Sequence, residues 1–256
     1  MAKSSLLSSI LGLALAWPSA AAAWTPDYRL TVAWEAARLG PRDLYRQILR
    51  NKGEFEAGVL AAPAPGACEK NPDGSGELEK TVAAATDGAV REIRAHRPFA
   101  ETVRRLGGLV RCLADANNPL STGSSDGEET RYTADFDRYV ESAEPRFPLL
   151  FYGLQPGLER GKDLSALVAR TLERGRLTYP LIGLEYRRID YGFGVSRFDD
   201  RSTAFGIASV SFSHAVTDGA LALRFVWLKA GGGDERTALP RDGERVLVLK
   251  RAGRPG

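Results

Sequence analysis

Residues 109–123 read LVRCLADANNPLSTG, and within them Arg111 and Asp115 stand four apart. On a helix that spacing puts a guanidinium beside a carboxylate. A second basic residue, Arg29, and a second acidic one, Asp137, lie in other helical stretches. Guanidiniums grip carboxylates in pairs of hydrogen bonds and keep their charge at any ordinary pH. Arg111 and Asp115 therefore form a candidate ion pair, and Arg29 and Asp137 supply one further charge of each sign. The same arginines, in a cleft, are chemistry for a phosphate or carboxylate, although two aspartates would already neutralise them. Metal chemistry is poorly supplied. The chain has two histidines, His96 and His214. His96 falls at a helix end, where an imidazolium is favoured. His214 has Asp218 four residues on, and two ligands on one helix do not make a site. Ser, His and Asp in SVSFSHAVTD lie along one element, whereas a catalytic triad needs convergent side chains.

Helices must position these groups. Apolar residues recur at spacings of three and four over residues 27–39, 42–51, 77–96, 99–116 and 130–143. Two more helices follow, one from 163 that should stop near Arg176 and resume after Pro180, and one capped by Asp200 and ended by Gly231 to Gly233. Residues 62–76 are loop by composition, as are 117–129. Residues 144–157, punctuated by Pro and Gly, read as a connection whose aromatic run FPLLFYG is core, like Trp34 and Trp227. The sum is an all-α chain with one multi-helix domain over 24–233. The tail, 234–256, shows one strand-like alternation and is otherwise expected to be loose.

Residues 1–23 carry one Lys, an apolar run from Leu6 to Trp17, and Ala21 and Ala23 at the small-x-small positions of a cleavage site. They read as a signal peptide, so the protein is expected to be exported, periplasmic or secreted. The run is too short to span a bilayer, and no later stretch is long enough. Cys68 and Cys112 in an exported chain suggest a disulfide, with two free thiols as the alternative. Lys and Arg number 35 against 32 Asp and Glu, a formal net charge of +3. That near balance, spread along the chain, gives no nucleic-acid footprint.

In layout the chain resembles the zinc-dependent phospholipase C and single-strand-specific nuclease superfamily. Trp24 would begin the mature chain, and RLTVAWEA matches a first-helix frame with Arg29 at a histidine position. RCLADANNPLS matches a His-x-x-x-Asp-x-x-x-Pro-Leu-His pattern, with Arg111 and Ser121 in place of the two histidines and Asp115 kept. TADFD matches a His-x-x-x-Glu/Asp pattern, with Thr133 for the histidine and Asp137 for the carboxylate, and Ala64 stands for a first-loop aspartate. The resemblance implies an all-α phospholipase C/nuclease-type domain whose trinuclear zinc site has degenerated at Trp24, Arg29, Arg111, Asp115, Ser121, Thr133 and Asp137. Such a cluster needs about nine protein ligands, several of them imidazole, and neither histidine falls on a ligand position.

Three readings follow. In the first, the protein is a non-catalytic shell in which Arg29, Arg111, Asp115 and Asp137, brought together by the positions the resemblance matches, form a salt-bridge cluster of formal charges +2 and −2 that replaces zinc, holding no cofactor and binding or scaffolding an envelope partner. A Cys68–Cys112 bridge would then tie the first loop to the cluster's helix. In the second it is a metal-dependent phosphodiesterase, with one zinc on Asp115, Asp137 and the Trp24 amine. In the third it is an unrelated exported helical bundle.

Overall fold

The computed structural model describes residues 24–122, 127–233, 239–240, 246–251 and 255; the expected signal peptide, 1–23, lies outside the described residues. The first helix, α1 (Pro26–Leu39), starts where the sequence supplies its signals. The Thr25 hydroxyl accepts from the Tyr28 amide, Pro26 occupies the first turn, and Asp27 faces the positive end of the helix dipole. Two short helices follow, α2 (Arg42–Arg50) and α3 (Lys52–Leu60). The long α4 (Leu78–Arg94) and α5 (Phe99–Ala116) form the next pair.

Helix α5 packs between α3 and α4. Its approach to α3 is a backbone contact at glycines. A Cβ on Gly58 would lie 1.9 Å from the Arg104 carbonyl oxygen, and one on Gly107 would lie 2.3 Å from that of Phe55. No side chain fits there, so α5 is held in a single register against α3.

The second half comprises α6 (Thr133–Ala143), the short α7 (Pro156–Glu159), α8 (Ser165–Arg188), the short α9 (Gly194–Arg197) and α10 (Thr203–Lys229). Helix α10 is buried along most of its length and packs on α1, α5 and α8. That burial is what an element apolar on nearly every face requires. The domain is all-α, with helices layered on helices.

Two helices differ from the sequence reading. Helix α8 runs unbroken through Pro180. Pro180 and Arg176 are both exposed, so water can serve the carbonyl that loses its donor. The buried face, including Leu172, Tyr179, Ile182 and Tyr186, holds both halves in line. The cap of α10 is Ser202, whose hydroxyl accepts from the Phe205 amide at 3.1 Å, while Asp200 instead pairs with Arg146.

The tail is anchored where it is described. Strand β2 (Leu247–Leu249) pairs antiparallel with β1 (Leu149–Phe151), a strand within the stretch expected to be a connection. Arg251 pairs with Glu144, and Lys52 donates to the Pro255 carbonyl at 2.6 Å. No helix among the described residues is long and apolar enough to cross a membrane.

A candidate anion cleft beside a buried Arg/Asp cluster

Asp115 lies in the last turn of α5, 5% exposed, and two elements bring cations to it. Arg29, from the first turn of α1, donates from Nε to Oδ1 at 2.8 Å and from Nη2 to Oδ2 at 3.2 Å. Arg111, one turn back on α5, donates from Nε to Oδ2 at 3.3 Å. Burial raises the Asp115 carboxyl above the usual carboxylate range, and Arg29 and then Arg111 oppose that rise. Burial likewise lowers the Arg111 guanidinium, against the pull of Asp115.

The fourth expected member departs from the cluster. Asp137, on α6, forms no ion pair among the described residues. It accepts from the Asn118 side chain, and its Oδ1 is buried without a partner. Burial, with the Asp115 charge adding to it and Arg29 opposing, pushes its carboxyl up to about 7. The grouping expected from the sequence, four charges cancelling to zero, is corrected to three paired groups with a net charge of +1. Asp137 stands beside them, partly protonated at neutral pH.

A cleft of about 470 Å³ opens over this cluster. Arg29, Arg111, Asp115, Ser121 and Thr133 all line it, as does Ala64 from the first loop. Five of the residues marked in the sequence thus converge from α1, α5, the turn after α5 and the start of α6. Trp24 is buried outside the cleft, donating from its indole to the Ala114 carbonyl at 2.9 Å and stacking on Tyr28. Ala62, Pro63, Ala64 and Pro65 form an apolar stretch of the wall, and Leu120 adds to the apolar lining. Cys68 and Cys112 are joined, and Cys68 lines the cleft, so the bridge fastens this wall to α5 beside Arg111. The carboxylates of Glu69 and Glu129 also line it.

Sequence reasoning missed two buried carboxylate centres. Asp135 accepts from the Tyr186 hydroxyl at 2.7 Å and from the Gly194 amide at 2.7 Å. Asp218 pairs with Arg174 and accepts from Thr171 at 2.8 Å and Asn117 at 3.0 Å. The partners come from up to 101 residues away, so no local spacing announces them. His214 neither ligates nor activates anything there. Its ring stacks on Tyr152 with centroids 3.9 Å apart, and burial, helped by the Arg174 charge, pushes it down to about 3. His96 is exposed in the turn after α4, with a φ of 50°.

With the geometry in hand, the molecule is defined as an all-α protein with a disulfide-pinned polar cleft. Sequence comparison finds no matching protein-family model and no matching curated protein.

The donor set does not fit the zinc centre that the sequence resemblance implies. No group of three or more His, Cys, Asp or Glu side chains among the described residues is placed to hold a metal ion. Both Asp115 oxygens accept from guanidiniums, and the positive charges of Arg29 and Arg111 would repel a metal ion there.

Proposed function

We propose that this is an exported, non-catalytic protein of the phospholipase C/nuclease-like kind, in which an Arg/Asp cluster occupies the place of the zinc centre. It acts as a binding or scaffolding module, periplasmic or secreted. One observation carries the reading: five of the seven positions matched to metal ligands, scattered from Arg29 to Thr133, line one cleft, and the carboxylate among these five, Asp115, is held by two arginines. The Cys68–Cys112 bridge supports residence in an oxidising compartment. It also supplies a cross-link near the cluster of the sort that metal ions give.

Metal content tests the reading. The exported protein, purified without a histidine tag and analysed by plasma mass spectrometry, is expected to hold less than about one-tenth of an equivalent of zinc. One or more tightly held equivalents would overturn it in favour of a phosphodiesterase using Asp115, Asp137 and the Trp24 amine.

A further inference from the structure

Arg111 is the group the cluster leaves unfinished. It is 8% exposed, and among the described residues it makes one hydrogen bond, from Nε to Asp115. Its Nη1 is buried with no partner. A buried guanidinium donor without an acceptor costs free energy that an incoming acceptor would recover. Because Asp115 answers two arginines, the trio keeps one uncompensated positive charge, and the residual exposure of Arg111 adjoins the cleft it lines.

The remaining lining restricts what could complete it. Ser121 and Thr133 add hydroxyl groups to the lining, while the Pro63–Pro65 wall and Leu120 are apolar. The volume of about 470 Å³ is more than a bare inorganic ion needs. Glu69 and Glu129 penalise a second negative charge. Their repulsion is blunted at Glu69 by solvent exposure and at Glu129 by the Tyr179 hydroxyl, which donates to it at 2.5 Å.

We propose that the cleft binds a small organic monoanion, its oxyanion head on the free edge of the Arg111 guanidinium and its apolar body on the Pro63–Pro65 and Leu120 walls. The inference rests on the shell reading above and names the ligand class of that cleft. A carboxylate and a phosphodiester share this chemistry, since either presents two oxygens and one charge to a guanidinium.

Calorimetric titrations of the full exported chain with benzoate, diethyl phosphate, benzamide and phenyl phosphate, at constant ionic strength, test it. Benzoate or diethyl phosphate should bind at least tenfold more tightly than neutral benzamide. Whichever of the two binds better identifies the head group. Phenyl phosphate, as a dianion, should be weaker than the better monoanion. Arg111→Gln should lose at least tenfold in affinity, its fold checked by circular dichroism.

Glu69→Gln, a surface change that leaves the cluster intact, should tighten anion binding about twofold to threefold by removing a screened repulsion. Equal affinity for benzoate and benzamide, no response from any probe up to about 10 mM, or anion affinity unchanged in both variants would overturn the proposal. Titrations repeated in EDTA separate it from the shell reading. Metal found with anion binding that survives EDTA would sink only the shell; binding abolished by EDTA would sink both.

Discussion

At the scale of single residues, charge is settled by burial as much as by partners. Asp115 is kept by two guanidiniums, whereas Asp137, a short distance off, receives only the Asn118 side chain and titrates near 7. Its folded value lies above the 3.8 of a free aspartate, so the folded state holds a proton that the unfolded chain releases. Stability from this group is therefore present below about pH 4 and is lost as pH rises to about 7. Asp137→Asn should remove that dependence. Relative to the variant, wild type should lose up to about 3 kcal/mol between those pH values, measured by urea unfolding across the range. Parallel pH profiles for the two proteins would refute the assignment. This residue also shows the reach of sequence reading. Of the two residues marked in TADFD, Thr133 lines the cleft and Asp137 is not among its lining residues, while the buried Asp135 between them takes its partners from Tyr186 and Gly194. Nothing local in the sequence marks which of two aspartates turns inward to which partner.

At the scale of elements, the cleft depends on where α5 sits, and α5 sits where glycines let it. Gly107 is packed against the α3 backbone, while Gly108 has only an ordinary contact, the Gly58 carbonyl oxygen at 3.8 Å from a built Cβ. Gly107→Ala should destabilise by roughly 2–4 kcal/mol, because backbone must move to admit the methyl group. Gly108→Ala should be neutral or stabilise by up to about 1 kcal/mol through helix propensity. Thermal unfolding of the two variants side by side checks the contrast, and equal effects would mean that the helices are not in direct backbone contact. The longer helices were largely legible from periodicity and turn residues, whereas α3 (Lys52–Leu60), nine residues with two glycines and no side-chain cap, was not marked by either. The exceptions have physical reasons. Pro180 does not break α8 because tertiary packing on the buried face outweighs one missing hydrogen bond on the exposed one. Ser202 rather than Asp200 caps α10 because the chain turns two residues later, where its hydroxyl meets the Phe205 amide.

At the scale of the whole molecule, the Cys68–Cys112 bridge closes a loop of 44 residues that includes all of α4 and begins just after the 62–65 stretch that lines the cleft. Reduction should lower stability by about 2–4 kcal/mol, read as a drop in denaturation midpoint with reductant present. It should also expose residues 62–67 to proteolysis, since their tether to α5 would be gone. A midpoint indifferent to reductant would show that helix packing alone holds that wall. The tail acts at the same scale. Expected to be loose, it contributes β2 to a sheet with β1 and fastens Arg251 to Glu144 and Pro255 to Lys52, and these partners lie 107 and 203 residues away.

The sequence by itself determined the all-α class, the longer helices through their apolar period, the loop at 62–76, and the pairing of Arg111 with Asp115. These follow from spacing within a few residues, where chain geometry fixes the neighbours. It also marked which residues could share a site. Only the tertiary structure decided that Arg29 reaches Asp115 across 86 residues, that Asp137 stays apart with a nearly neutral pKa, and that Arg111 keeps a free buried donor beside a cleft. Those outcomes depend on burial and on side chains arriving from distant helices, and neither is encoded in any local pattern.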